Sequence, residues 1–359
     1  MQPVQTLYGG AHRFRHDTAG KLGRHAVRVL EDHHGLLAAG PDLLTRVRAK
    51  LQKAAIEDFR IDFEDGYGCR SDDEEDTHAV MAAKEVAQGV KAGTLPQFLG
   101  IRCKPFSEQS RTRSLRTLRL FFEAAGELPR NFTVTLPKVT AEEQVSSLCQ
   151  ALVKLDRAVS VELMVETPEA LRNLRSLVAA AGPRCRGAHF GPYDFTSSCG
   201  VMAGSQGLRH PLCTHARNQM VIELAGTGVW LSDGPTSVLP IGAAEQISLA
   251  WKTQWDDIRH ALSTGFYQGW DLHPAQLPVR YAAIFSFFLD SLPLVSSRLK
   301  NFIAQSAQAT RIGGTFDDAA TAQGLRIFFL RALGCGAITE AELREHSGLS
   351  AAELEQLRF

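Results

Sequence analysis

No two of the seven cysteines (Cys69, Cys103, Cys149, Cys185, Cys199, Cys213 and Cys335) stand at C-x-x-C spacing, and their number is odd. A zinc ribbon or a disulfide framework is therefore not expected, and small apolar residues in a reducing cytoplasm are the plainer reading. Neither sign of charge is in excess: Lys plus Arg and Asp plus Glu each total 39. Nothing in that balance calls for nucleic acid or an anionic membrane as partner. No uninterrupted apolar run approaches the ~18 residues of a membrane span. The opening residues 1–7 lack a basic segment leading into an apolar one, so no signal peptide is expected. What is present is 359 residues with 44% apolar content, enough core for one large domain or two ordinary ones.

Strand-like and helix-like stretches alternate. Strands are expected at 59–64, 97–103, 132–137, 159–165, 185–190, 229–232 and 265–272, and an eighth at 4–7. Helices are expected at 73–92, 109–125, 141–156, 168–181, 213–226 and 243–263, with two more at 20–37 and 41–54. A strand-then-helix unit about every thirty to forty residues fits βαβ crossovers and a parallel sheet. The count of eight predicts a TIM (β/α)8 barrel, with a doubly wound sheet as the alternative. After His273 the pattern is helical only, at 276–289, 294–307, 319–332 and 339–359. Residues 1–275 are thus expected to form the catalytic barrel. Residues 276–359 would form a C-terminal helical extension that caps the barrel or crosses to a neighbouring subunit.

The chemistry concentrates where the strands end: Asp62, Glu64 and Asp65; Arg102; Lys138; Glu166; Asp194; Asp233; Asp271 and His273. Barrel active sites are built from the C-terminal ends of strands. Glu166 and Asp194 follow consecutive buried strands. Two such anions facing one mouth are costly to leave unpaired, and a hard divalent cation such as Mg²⁺ would hold both. The alternative is that both acids cap helices, which Pro168 at a helix start also suits. Arg102 presents a planar fork that can hold a carboxylate or α-keto oxygen in two bonds, or else pairs with a neighbouring acid. Lys138 is either a Schiff-base lysine or, the preferred reading, an ion-pair partner of Glu64 or Asp62. The three acids Asp62, Glu64 and Asp65 cannot all be free anions in one closed mouth.

Phe63-Glu64-Asp65-Gly66, Ile101-Arg102, Leu136-Pro137-Lys138, Val165-Glu166-Thr167-Pro168, Phe190-Gly191-x-x-Asp194 and His273-Pro274-x-Gln276 occur in that order. Together they resemble the HpcH/HpaI aldolase and citrate-lyase β-subunit superfamily, which includes malyl-CoA and citramalyl-CoA lyases. The resemblance spans 58–276 and extends weakly into the tail. It implies a Mg²⁺- or Mn²⁺-assisted carbon–carbon lyase or aldolase acting on a small 2-oxo or 2-hydroxy acid through a metal-stabilised enolate. It also implies a homo-oligomer, a trimer or hexamer, with swapped C-terminal helices. In it Glu166 and Asp194 would bind the metal, and Arg102, Lys138, Gly191 and Pro192 would meet the substrate. The free-acid aldolases of the superfamily carry E-H-G where this chain has Glu64-Asp65-Gly66, so their histidine base is absent at that position. Candidates to replace it are His12 or His16 in the first loop and Asp317, within Gly313-Gly314-Thr-Phe-Asp317-Asp318. That segment resembles one by which malyl-CoA and citramalyl-CoA lyases lend an aspartate to a neighbouring site; an N-cap for the helix at 319–332 is the competing reading. Glu64 and Asp65 complete the catalytic candidates. A CoA-thioester lyase is the nearest alternative, because His12, Arg13, Arg15 and Lys21 could bind phosphate although Tyr8-Gly9-Gly10 departs from the superfamily's proline-glycine loop. A non-catalytic barrel that binds a small acid or serves as an assembly subunit is the alternative of another class.

Overall fold

The computed structural model describes residues 1–37, 39–304, 310–312, 315–317 and 319–357; the side chains of 310–312, 315–317, 319 and 320 fall outside that description. Eight parallel strands close into a barrel in sequence order: β1 (Gln5–Gly10), β2 (Asp58–Asp62), β3 (Phe98–Arg102), β4 (Phe132–Leu136), β5 (Ser160–Val165), β6 (Cys185–Phe190), β7 (Trp230–Asp233) and β8 (Gln268–Asp271). Closure comes from β8 pairing with β1 through Gln5↔Gly269, Thr6↔Trp270 and Leu7↔Asp271. A doubly wound sheet is ruled out by that closure.

The helices follow the strands: α1 (Thr18–His33) and α2 (Pro41–Ala54) after β1, α3 (Asp72–Ala92), α4 (Arg111–Ala125), α5 (Glu142–Lys154), α6 (Pro168–Arg172), α7 (Leu174–Ala181), α8 (Pro192–Ser198), α9 (Pro211–Leu224), α10 (Ala244–Ser263) and α11 (Leu277–Ala304). Their starts obey local chemistry. Ser71 and Glu74 form a capping box on α3, and Gly93, at φ +64°, closes it in a left-handed turn that a side chain would strain. Helix α11 packs on α10 and α2, the place of an eighth barrel helix. Outside the barrel lie a hairpin of β9 (Thr310–Ile312) and β10 (Thr315–Asp317), then α12 (Ala319–Cys335), α13 (Glu340–Ser347) and α14 (Ala351–Gln356).

Four expected helices differ. The one after β5 breaks at Asn173 into α6 and α7. The pair expected on either side of Pro293 is a single 28-residue helix, α11, which runs through that proline. With its preceding turn it is the one helix among the described residues long and apolar enough to cross a membrane (mean hydropathy 1.3), and 56% of that apolar window is buried, as in a core helix. The last expected helix divides at Gly348, φ +78°.

Strand residues alternate between the helix side and the lumen. On β2 the residues Phe59 and Ile61 enter the apolar layer under the helices, while Asp58, Arg60 and Asp62 face inward. The lumen is accordingly polar. Arg60 pairs with Asp58 and Glu162 and donates to Thr135, which in turn donates to Glu162 at 2.8 Å. Each charge is buried, and each is compensated within the network.

Candidate active site

Asp62 and Arg102 end adjacent strands and stand opposite each other in register. Arg102 donates from Nε and Nη2 to the two oxygens of Asp62, at 2.7 and 2.6 Å. Both side chains are buried, Arg102 at 2% exposure and Asp62 at 0%. Asp62 also shapes the turn after β2: it accepts from the backbone N–H groups of Glu64 (2.9 Å) and Gly66 (2.7 Å). A Cβ on residue 66 would lie 2.6 Å from Asp62 Oδ2, which explains the glycine of Glu64-Asp65-Gly66. Below the guanidinium lie the rings of Tyr8 and Trp270, with centroids at 4.9 and 5.4 Å.

This geometry corrects one expectation. The forked edge of Arg102 is occupied by Asp62, so it does not grip a substrate carboxylate in two bonds. Only Nη1 is left toward the mouth, 3.1 Å from Glu64 and 3.8 Å from Asp65.

Lys138 closes the acidic side. Its ammonium pairs with Glu64 and lies 3.2 Å from Asp65. Burial raises the Glu64 carboxyl above the usual range against the pull of Arg102; its hydrogen bond with Asp65 adds to the rise and Lys138 opposes it. Asp65 shifts the other way. Burial would raise it, but the hydrogen bond from Glu64 and the charges of Arg102 and Lys138 hold it below the usual range. One acid of the pair thus retains a proton more readily while the other stays ionised. Lys138 itself sits at φ +49°, in the left-handed region that side chains rarely adopt.

The same residue reaches the next strand. The Lys138 backbone N–H donates to Oε1 of Glu166, which is buried at 2% exposure. Among the described residues Oε2 of Glu166 accepts no hydrogen bond. Burial, and then the charge of Asp194, push the Glu166 carboxyl up to about 7. The helix after it is capped by Thr167, which accepts from Ala170 N–H at 3.1 Å, with Pro168 in the first position; Glu166 is not the cap. Gly191 lies against it, where a Cβ would come within 2.6 Å of Glu166 Cβ and 2.8 Å of Oε2. Asp194 is exposed in the first turn of α8. Its charge is felt by both Glu166 and Lys138.

A divalent cation fits this pair. One oxygen of Glu166 accepts no hydrogen bond among the described residues, and the charge of Asp194 raises the cost of ionising Glu166. No third His, Cys, Asp or Glu joins them in a ready-made cluster among the described residues. Two hard oxygen ligands leave most of an octahedral shell to water and substrate, the usual habit of Mg²⁺.

Comparison with curated proteins by sequence found no match. The family profile of DUF6986, a domain of unknown function, matches residues 1–359. The chain belongs to the DUF6986 family. Its fold is shared with a citrate lyase from Burkholderia xenovorans LB400, at a TM-score of 0.67 and 20% identity, covering 96% of this chain and 95% of that one. It is shared also with CitE from Mycobacterium tuberculosis, solved with magnesium, acetoacetate and coenzyme A, at 0.59 and 17%, covering 92% and 98%. The DUF6986 chain therefore has the barrel of the citrate-lyase-like proteins that its motifs resemble.

Other expected residues of this DUF6986 member stand apart from the mouth's centre. His12 packs its ring against Tyr67 (5.6 Å) and His78 (6.0 Å), and burial and nearby Arg70 lower its proton affinity. His16 is tied to Glu85 on α3 at 3.0 Å. His273 and Gln276 build the turn that opens α11: His273 Nδ1 accepts from Ala275 N–H, and Gln276 Oε1 accepts from Leu272 and His273 N–H. Pro192 begins α8 beside Gly191, touching the backbone near Gly234. Asp233 and Asp271 turn outward to Arg217 (2.8 Å) and Arg280 (2.6 Å) and do not face the mouth. The backbone of Asp317 lies in β10, whose partner β9 packs on α11; its side chain, with Gly313, Gly314 and Asp318, lies outside the described residues. Helix α11 begins at the mouth and spans about 42 Å at 1.5 Å per residue.

Sequence reasoning missed the floor. Tyr8, Met164 and Trp270 lie under Arg102, with Nη1 of Arg102 3.9 Å from the Met164 sulfur. Beneath them His189 is fully buried, its ring 5.5 Å from Trp270 and 6.0 Å from Tyr8. Among the described residues neither His189 nitrogen has a hydrogen-bond partner, nor do Ser232 Oγ and Trp270 Nε1 on the next two strands. Period-two counting on the neighbouring strands would have found Tyr8 on β1 and Trp270 on β8 as inward positions. His189, one residue before Phe190-Gly191, carried no such signal.

Proposed function

We propose that the protein is a Mg²⁺-dependent carbon–carbon lyase or aldolase acting on a small 2-oxo or 2-hydroxy carboxylic acid. The observation that carries this reading is the convergence of Glu166, Asp194, Glu64, Lys138 and Nη1 of Arg102 on one mouth, where the Glu166 carboxyl is raised and, among the described residues, has one oxygen without a hydrogen bond. The citrate lyase and CitE structures of the same fold support it, the latter holding magnesium and a small oxo acid. Glu166 and Asp194 would hold the metal, which when bound supplies a Lewis acid for the oxygen that gains charge.

The chain's own groups do the rest. Nη1 of Arg102 donates to the developing oxyanion from a guanidinium that Asp62 keeps immobile; a donor placed in this way is worth about 3–4 kcal/mol of barrier. Glu64, with its raised proton affinity, takes the substrate hydroxyl proton in the cleavage direction. The carbon–oxygen bond becomes a carbonyl, the carbon–carbon bond breaks, and its electron pair passes to the departing oxo acid as the enolate. Lys138 and Asp65 restore the charge balance around Glu64 at each step. The buried rings of Tyr8 and Trp270 keep water from beneath the reacting centre.

The test is exchange of the pyruvate methyl protons with deuterated water, followed by NMR with Mg²⁺ or Mn²⁺ present. Exchange that needs the metal and disappears in Glu166→Gln is expected. No exchange with folded, metal-loaded protein would overturn the lyase reading in favour of a small-acid-binding barrel. Addition of glyoxylate in one arm and acetyl-CoA in the other separates free-acid from thioester chemistry.

A further inference from the structure

Away from the mouth, at the N-terminal end of the strands, two cavities share Gln2 and Gly334 in their walls. The larger, about 850 Å³, is bounded by α1, α2 and the starts of β2 and β3. That volume suits a small organic ligand. Arg24 and Arg28, one turn apart on α1, and Lys50 and Lys53 on α2 all line it. Glu57 is the acid in this wall, and it is committed: it pairs with Lys50 and accepts from Val4 N–H at 2.6 Å. Arg24, Arg28 and Lys53 have no carboxylate partner among the described residues.

The smaller cavity, about 330 Å³, repeats the imbalance. Arg331 of α12 enters it over the ring of Tyr267, 4.5 Å from the centroid, and donates to Gln2 Oε1 at 2.7 Å. Among the described residues no acid pairs with Arg331, although Glu355 is in the same wall. Burial lowers its proton affinity, the direction of a guanidinium without a counter-charge. Arg24, Arg28 and Lys53 are exposed around the larger cavity, and cations grouped there raise the local concentration of anions. Glycines keep the walls low: Gly20 faces Arg24, and Gly93 makes its left-handed turn at the rim.

We infer that these adjoining lower-face cavities, the larger lined by Arg24, Arg28 and Lys53 and the smaller by Arg331, form a second ligand site that takes a small organic polyanion, either phosphorylated or polycarboxylic. Planar guanidinium groups suit both oxyanions. The site shares no residue with the mouth and does not depend on the lyase reading.

The test is titration of the full chain in metal-free buffer with pyrophosphate in one arm and tricarballylate in the other, by calorimetry and thermal shift. Binding of one or both at a single site, with a rise in melting temperature, is expected. The paired substitution Arg24→Gln with Arg28→Gln, on exposed side chains, should weaken it at least tenfold with the fold intact by circular dichroism, and Arg331→Gln should do the same. Absence of binding in both arms overturns the inference. So does undiminished binding in the Arg24/Arg28 variant, which would place the anion elsewhere.

Discussion

Lys138 donates its backbone N–H to Glu166 while its ammonium holds Glu64, so one residue spans the two carboxylates on either side of Arg102. It does so from a backbone conformation at φ +49°. A non-glycine residue there costs about 1–2 kcal/mol. Lys138→Gly and Lys138→Ala both remove the ammonium, but only glycine relieves the backbone. The glycine variant should be more stable than the alanine variant by about 1 kcal/mol in urea denaturation. Both should shift the pH dependence of proton exchange upward, because Glu64 loses the cation that favours its ionised form.

Metal binding should release a proton near neutrality. The Glu166 carboxyl titrates at about 7 in the folded protein and must be ionised to act as a ligand. Calorimetric titration with Mn²⁺ at pH 6.5, in buffers of differing ionisation enthalpy, should show close to half a proton or more released per metal. Glu166→Gln should abolish the release along with tight binding. Release that is unchanged in the variant would place the metal on other residues.

Asp62 has no free role in the mouth, yet its removal should be among the most damaging changes there. It holds Nε and Nη2 of a guanidinium at 2% exposure. Asp62→Ala leaves that charge half-paired, a loss of about 3–5 kcal/mol for a buried pair broken from one side. Arg102→Met leaves Asp62 as the unpaired group instead, but that carboxylate keeps its bonds from the Glu64 and Gly66 N–H groups and can take up a proton, which a guanidinium cannot shed, so this variant should cost less stability while eliminating proton exchange. Chemical denaturation of the two variants side by side checks the order.

How far the sequence disclosed the site can be judged from Asp62, Asp233 and Asp271. All three end strands, and strand-end acids pointed to the barrel mouth. The period of two then decides which way each side chain turns, and an error of one residue in a strand boundary reverses it. Asp62 faces inward, whereas Asp233 and Asp271 go to arginines on the helices. Glu166, Gly191 and Asp194 were legible because their order is a motif, and Gly191 is explained by the close approach of Glu166. The double grip of Asp62 on Arg102 was not legible, since a sequence does not say how two neighbouring charges share their hydrogen bonds. The polar lumen was hidden for a related reason: Asp58, Arg60 and Glu162 sit in runs that look like strands with occasional exposed charges, and only closure of the barrel places them together.

The lumen and the mouth should oppose each other in the pH dependence of stability. Glu166 has a folded proton affinity raised from an ordinary value of 4.5 to about 7. Its contribution is complete below pH 4.5 and is lost as pH rises through 7. His189 is depressed from 6.5 to about 4, by burial first. Its contribution is complete above pH 6.5 and is lost as pH falls toward 4. Each change is on the order of 3 kcal/mol at ~1.4 kcal/mol per tenfold change in proton affinity. The windows overlap and the signs are opposite, so the metal-free protein should show a shallow profile between pH 4.5 and 6.5. Glu166→Gln should expose the histidine slope, with stability falling on acidification. His189→Phe should expose the carboxylate slope, with stability falling as pH rises. Saturating Mg²⁺ should flatten the second slope only, because it binds the ionised form of Glu166 and leaves His189 untouched. Denaturant midpoints measured at half-unit intervals from pH 4.5 to 7.5 would resolve the two, and identical profiles for both variants would show that neither group is buried as the structure has it.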